Sequence, residues 1–287
     1  MALGLGRIGL WIAEAFWDPG RSDHREAAAQ IQELGFGTLW LGNAHGGLAT
    51  AEGLLDATER LVVGTSIVNV WLYSPADVAA AYQRVDRSRP GRLLVGLGSS
   101  HAPLVEQHGH SYRKPLTKVR SYLDELDAQS VPLPHHARAL AALGPRTLEV
   151  AGQRTAGALP YLVTPEHTAQ ARQILGRGPL LAPEQKVVLE TDPDEARRIA
   201  REGVAVYLGL PNYANNLRRL GFTDADLADG GSDRLIDAVV AWGDQDAVLR
   251  RVREHFDAGA EHVAVQVLTG SDDLARQQWS ELAPALL

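Results

Sequence analysis

Histidines come first among the residues that could do chemistry, because a side chain that titrates near neutrality can pass a proton at working pH. His101 closes the run Gly96-Leu97-Gly98-Ser99-Ser100-His101, and His108 and His110 follow in the same loop. Their spacing matches no standard metal motif, and His135-His136 are simply adjacent, so no metal site is expected. Ser99 and Ser100 lack the Gly-x-Ser-x-Gly frame of an esterase-type nucleophile. The glycine run lacks the third glycine of a dinucleotide fingerprint. The chain has no cysteine, which excludes thiolate nucleophiles, thiolate metal sites and disulfides. Arg250, Arg251 and Arg253 share a predicted helix with Glu254 and read as a solvated face.

The scaffold for these residues is legible as a repeated pattern: a short apolar run, a capping residue, a helix, then the next run. Strands are expected at Arg7–Ala13, Gly37–Gly42, Leu61 to about Asn69, Arg92–Gly98, Arg138–Leu143, Gly157–Val163, Lys186–Glu190 and His262–Leu268. Asp23-x-x-Glu26 resembles a capping box, Ser74-Pro75 and Thr164-Pro165-Glu166 are N-terminal signals, and Asp192-Pro193 opens a further helix. Roughly Ala196 to Ala258 carries helical patterns and no clear strand, which predicts a helical insertion before the last strand. A final helix is expected from about Asp272.

Eight strands alternating with helices predict an α/β fold with a parallel sheet, closed into a (β/α)8 TIM barrel as one domain over residues 1–287. An open doubly wound sheet is the alternative. The 287 residues suit such a barrel. A formal net charge of −7 argues against nucleic acid or an anionic membrane as partner. No run approaches a membrane span and no leader is evident, so a cytoplasmic protein acting on a small molecule is expected. Barrel active sites gather at the C-terminal strand ends. Here those ends are Glu14, Asn43 with Ala44 and His45, Ser66–Asn69, Ser99-Ser100-His101, Leu143–Arg146 and Tyr161–Thr164.

Several of these segments carry a resemblance. Gly96–Val105 (GLGSSHAPLV), Ala141–Arg146 (AALGPR) and Gly157–His167 (GALPYLVTPEH) resemble the luciferase-like flavin monooxygenase and deazaflavin-dependent oxidoreductase superfamily. GLW, LGFGTLWLG, VVGTSIVN and AGAEHVAVQVL continue the match in the same order along essentially the whole chain. The branch it looks closest to uses coenzyme F-420, an 8-hydroxy-5-deazaflavin; FMN is the alternative cofactor.

The resemblance implies a non-prolyl cis peptide at Ser66-Ile67, leading into Val68, where the strand-three bulge supports the cofactor ring. From the residues alone this is a plain buried strand. It also implies a phosphate site at Ala142, Leu143, Gly144, Pro145 and Arg146. There a helix N-terminus offers free N–H groups, Gly144 permits close approach, and Arg146 adds charge. Without the resemblance, a routine strand-to-helix turn fits those residues equally. Thr164 stands where some deazaflavin enzymes have lysine, so it keeps a hydrogen bond and loses the charge. Asn43 and Ala44 stand where relatives often place an acid and a histidine. His101 matches a position near the ring, as do Ser99 and Ser100, and is the first choice of proton donor, ahead of His45 and Glu14. A hydrogen-bonded bystander is the bland reading of each. The implied reaction is hydride transfer between the deazaflavin and a small organic substrate. The alternatives are an FMN-dependent monooxygenase and a non-catalytic flavin- or deazaflavin-binding protein. Relatives are often dimers, which implies a homodimer. Trp17, Trp71 and Tyr213 are guesses at residues lining the substrate space.

Overall fold

A computed structural model describes residues 3–271 and 273–287. The chain opens with β1 (Ile8–Ala13), α1 (Ser22–Leu34), β2 (Thr38–Gly42), α2 (Ala49–Asp56), β3 (Val62–Ser66) and β4 (Val68–Asn69). Next come α3 (Pro75–Ser88), β5 (Leu93–Gly98), α4 (Ala102–Gln107), α5 (Pro115–Asp127), β6 (Arg138–Leu140), α6 (Pro145–Arg154), β7 (Gly157–Ala158) and α7 (Pro165–Leu175). Beyond these lie β8 (Leu180–Leu181), β9 (Glu184–Val188), α8 (Pro193–Leu208), α9 (Pro211–Arg219), α10 (Asp224–Leu227) and α11 (Asp233–Val239). The last elements are β10 (Val240–Trp242), α12 (Gln245–Asp257), β11 (Val263–Val267) and α13 (Arg276–Leu286).

Every strand pair is parallel, in the order β10-β9-β11-β1-β2-β3-β5-β6-β7-β8, with β4 beside β5. The two ends of this path meet, because β8 and β9 are halves of one extended run separated by Ala182-Pro183. On one side of that run, Ala182 N donates to Ala158 O (3.0 Å) and Glu184 N to Pro160 O (2.9 Å). On the other, Ala264 N donates to Pro183 O (2.9 Å). Pro183 has no N–H to return. With β3–β4 and β8–β9 each counted as one barrel position and β10 set aside, eight positions remain. The fold is a TIM barrel.

Bulky side chains of one strand lean over a glycine of the next. A Cβ on Gly42 (β2) would collide with the Trp11 ring of β1, and one on Gly64 (β3) with Trp40 of β2. Gly9 of β1 is hemmed in from two sides, by the Thr38 carbonyl of β2 and by the ring of His262, just before β11. Trp40 Nε1 donates to His262 Nε2 (2.9 Å), and His262 Nδ1 donates to Gly6 O (2.9 Å), which fixes the tautomer. His255 of α12 bridges Thr168 Oγ1 (2.8 Å) and Gln185 Oε1 (2.9 Å), tying two helices to β9.

Helix starts follow the side-chain chemistry where it is strongest. Ser74, Thr164 and Asp192 cap α3, α7 and α8 by accepting backbone N–H bonds, and proline follows each. Asp23 does not cap α1: Arg21 holds the N-cap position without a side-chain bond, and Asp23 pairs with Arg21 in the first turn. The run expected at Lys186–Glu190 starts earlier, since Leu180–Leu181 already pairs with β7. The region 196–258 is not wholly helical. Val240-Ala241-Trp242 pairs with Lys186–Val188 as β10, a strand too short to show an apolar period. Helix α4 lies in what reads as a polar loop after β5. The expected start of the final helix, Asp272, falls outside the described residues, and α13 begins at Arg276. Among the described residues no helix is long and apolar enough to cross a membrane.

The buried histidines set an acid limit. Burial pulls His255 down to about 3 and His262 to about 4 from an ordinary 6.5. Below pH 6.5 the unfolded chain binds protons at both positions while the folded chain does not, so stability falls as pH falls, until each folded value is reached. The slope is about 1.4 kcal/mol per pH unit for each histidine. Urea unfolding between pH 6.5 and 4.5 should show it. His262→Gln, which can keep both hydrogen bonds, should reduce the slope by about one proton; an unchanged slope would remove His262 from this role.

Candidate active site

The C-terminal rim of the barrel encloses a cavity of about 330 Å³. Its floor comes from strand ends: Trp11 of β1, Asn43 after β2, Ser66 and Ile67 at the β3–β4 junction, Ser99, Ser100 and His101 after β5, and Leu159 and Tyr161 after β7. One wall is the loop Ala141–Gly144 with Thr147 on α6. Another is Tyr112 with Pro115, Leu116 and Val119 of α5. The roof belongs to the segment between β9 and β11: Tyr207 of α8, with Asn212, Tyr213, Asn215 and Arg219 of α9.

The backbone is unusual where the floor is built. The Ser66-Ile67 peptide is cis, and Asn43 (φ 52°) and Ser100 (φ 54°) are left-handed. Tyr112 reaches across to donate to Ser100 O (3.1 Å). His101 is the N-cap residue of α4 and uses no side-chain bond there. Its Nδ1 is buried without a partner among the described residues, and its ring lies 6.0 Å from that of Tyr213. Burial lowers the His101 pKa below 6.5, so at pH 7 the ring is neutral.

The cavity wall divides the turn expected to hold a phosphate. Ala142, Leu143 and Gly144 line the cavity, whereas Pro145 and Arg146 lie outside its wall. The charge nearest Gly144 is Arg219, whose guanidinium comes within 3.9 Å of where a Gly144 Cβ would be. Asn216 Oδ1 steadies that guanidinium at 3.1 Å. Thr164 is buried outside the cavity, where it caps α7 and accepts from His167 N. His167 Nε2 in turn donates to Leu143 O (2.9 Å), so Thr164 bears on the Ala141–Gly144 loop through this helix.

Glu14 and His45 do not join the cavity wall. His45 is exposed; its backbone N–H donates to the Glu14 carboxylate, its Nδ1 accepts from Gly47 N (3.0 Å), and its ring rests 4.7 Å from Tyr73. Val68 is buried behind the wall. Of the guessed lining residues, Tyr213 is in place, while Trp17 meets His24 edge-on and Trp71 packs on Tyr112.

An aromatic file that sequence reasoning missed runs through the site. Ring centroids lie 5.3 Å apart for Trp11–Tyr161, 5.1 Å for Tyr161–Tyr207 and 5.2 Å for Tyr207–Tyr213. Beneath it, Lys186 Nζ sits 3.8 Å from the Tyr161 ring centroid and bonds Glu184 Oε1 and Gln266 Oε1, both at 3.1 Å. Burial pushes the lysine down and the glutamate up, and each partly restores the other. Burial also holds the Tyr161 hydroxyl neutral; its one proton goes to Gln266 Oε1 (3.0 Å), and it accepts from Tyr207 Oη (3.0 Å). The charged pair sits at alternate positions of β9, a spacing visible in the sequence, but its burial was not.

Comparison with known proteins gives the family. Over 96% of this chain and 97% of its own length, a Mycobacterium tuberculosis protein named as a coenzyme F-420-dependent oxidoreductase is 25% identical. An F-420-dependent secondary alcohol dehydrogenase, solved with an F-420–acetone adduct, superposes with a TM-score of 0.74 at 15% identity, covering 98% of this chain and 99% of its own. The oxygenating constituent of 3,6-diketocamphane monooxygenase from Pseudomonas putida, in complex with FMN, superposes with a TM-score of 0.63 at 18% identity over 98% of both chains. The luciferase-like monooxygenase family model matches residues 13–262, and the chain belongs to that family.

Proposed function

We propose that this chain is an oxidoreductase that passes a hydride between coenzyme F-420 and a small organic molecule. The observation that carries the reading is one cavity combining a floor of Trp11, Ile67 and Leu159, edged by the polar Asn43, Ser66, Ser99 and Ser100, with a cationic corner at Gly144 and Arg219. A tricyclic ring bearing a phosphate tail needs both surfaces. The M. tuberculosis relative named for F-420 supports the choice of cofactor.

The residues present fit such a group. Ser66 and Ile67 would support the ring, with Asn43, Ser99 and Ser100 beside it. The N–H groups at the start of α6, with Thr147 and Arg219, would hold the phosphate, because a helix N-terminus and a guanidinium both favour an anion. When bound, the deazaflavin supplies the hydride chemistry. The chain's own work is to orient, exclude water and move a proton. The unpartnered ring of His101 is the group placed to do the last, as imidazolium, toward the substrate atom that gains charge. The resemblance also carries a homodimer into this proposal, which sedimentation would test directly.

Titration with oxidised F-420 and, separately, with FMN tests the cofactor by tryptophan quenching, since Trp11 lies in the wall. Saturable binding of the deazaflavin alone is expected. Preference for FMN would make the protein an oxygen-using monooxygenase, and binding without turnover of any substrate would make it a carrier. Binding of neither would end the proposal. Arg219→Gln should weaken F-420 binding by roughly tenfold or more, the usual cost of a lost charge-assisted hydrogen bond, and high salt should shrink the difference. Arg146→Gln should change affinity by less than about twofold, because a solvated charge outside the wall contributes little. Equal effects of the two would overturn the assignment of Arg219.

His101 sets the pH dependence. Its depressed pKa means the proton-donating form is lost as pH rises through a value below 6.5. The rate of substrate reduction should therefore fall with rising pH across that range, and His101→Gln should abolish this limb. A wild-type profile without the limb would remove His101 from the proton step.

A further inference from the structure

The buried Glu184–Lys186 pair beneath the aromatic file is left without a task by the hydride-transfer reading. The lysine ammonium carries three protons and no acceptor. They point to Glu184 Oε1 (3.1 Å), to Gln266 Oε1 (3.1 Å) and to the face of the Tyr161 ring, whose centroid is 3.8 Å away. A donor-only neighbour fixes the Gln266 amide, because the atom facing Nζ has to be the oxygen.

That orientation sets the protons above it. Tyr161 bonds the same oxygen at 3.0 Å, so its single proton goes there. Tyr207 Oη lies 3.0 Å from Tyr161 Oη, and with the Tyr161 proton committed, the proton between the two comes from Tyr207. Burial raises the pKa of both hydroxyls, so both protons are present at neutral pH. The chain is polarised from end to end, and each hydroxyl has its one proton turned inward. Tyr207 has no other hydrogen-bond partner among the described residues. What it has left to offer is lone pairs.

The open end of this chain belongs to the first cavity. A second cavity, of about 340 Å³, lies on the other side of Trp11 at the ends of β1 and β11, and Gln266 is in its wall. Tyr161 and Tyr207 line the first cavity and not the second. In the roof, Tyr207 stands between Tyr161 and Tyr213, and the Tyr213 ring is 6.0 Å from that of His101.

We infer that Tyr207 is a specificity-determining residue whose hydroxyl oxygen accepts a hydrogen bond from an O–H or N–H of a flat substrate, and that Gln266, held by Lys186, is the residue that positions it to do so. Flatness follows from the walls, where the rings of Trp11, Tyr161, Tyr207 and Tyr213 meet. An ether, ester or ketone oxygen at the same place would set lone pair against lone pair, and a polar group buried without a partner is disfavoured. Naming the ligand as the substrate rests on the proposed hydride transfer; the hydrogen bond to Tyr207 does not.

The test compares the dissociation constants of two flat probes for the full-length, cofactor-free chain, read by 19F NMR. 5-Fluoroindole carries a donor N–H, and 5-fluorobenzofuran has the same shape with an acceptor oxygen in its place. The indole should bind about fivefold more tightly or better, the scale of one neutral hydrogen bond. Tyr207→Phe should remove the difference by weakening the indole alone. Tyr161→Phe should narrow it from the other side, because Tyr207 keeps its lone pairs and regains a free proton, so the benzofuran should bind more tightly. Gln266→Leu, outside the first cavity's wall, should reproduce the Tyr161→Phe result by freeing the Tyr161 proton to turn toward Tyr207; a residue that only supported the fold would weaken both probes alike. Equal binding of the two probes by the unaltered chain, or full indole affinity in Tyr207→Phe, would overturn the inference. Parallel loss of both probes in Gln266→Leu would overturn the part given to Gln266. If F-420 fails to bind but this pattern holds, the hydride-transfer reading alone is lost. If F-420 binds and the pattern is absent, the role of Tyr207 alone is lost.

Discussion

Residues 180–188 must satisfy neighbours on both sides at once, and the architecture follows from how they do so. The first half of the run bonds β7, the second half bonds β11 and β10, and the ring of strands is complete only because one stretch of backbone serves both. The same stretch places Glu184 and Lys186 in the interior, 3% and 0% exposed. Neither charge is tolerable there alone. Together, with Gln266 and the Leu162 N–H completing their bonds, they hold the base of the aromatic file. Removing one partner from such a pair typically costs about 3–5 kcal/mol, so the site above is braced by an arrangement that cannot be half-formed.

How much of this could be read in the residues depends on the range of the interaction. Local chemistry was readable: Ser74, Thr164 and Asp192 announce their helices because a side-chain oxygen three residues from an N–H acts within one turn. The barrel was readable because apolar runs recur with helices between them. The cis step at Ser66-Ile67 followed only from the resemblance, since nothing in two ordinary residues marks it. Long-range placement was not readable. Arg146 and Arg219 are both arginines near a turn or helix, and only the packing of α9 against the rim decides that Arg219 faces Gly144. His45 and Glu14 satisfy the rule of strand ends, yet bond one another outside the wall. Strand β10 was hidden because three residues cannot display a period.

The segment between β9 and β11 gives the site its individuality. The floor is assembled from strand ends, whose positions the barrel dictates. The roof, with Tyr207, Tyr213, Asn215 and Arg219, comes from helices that the barrel does not require. Helix α8 faces both cavities, with Tyr207 toward the first and Ile199 and Gly203 toward the second. Changes in this segment would alter what is bound while leaving the closed ladder of strands intact.

The leaning of one strand's bulk over the next strand's glycine has a consequence for how such a barrel can change over generations. Trp11 fills the space above Gly42 and Trp40 that above Gly64, so interior volume is apportioned between neighbours and not position by position. A methyl group gained at Gly42 or Gly64 is sterically admissible only beside a smaller partner on the preceding strand. In lineages descending from this chain, the two sites of each pair should therefore mutate in concert, small-for-large on one strand answering large-for-small on the other.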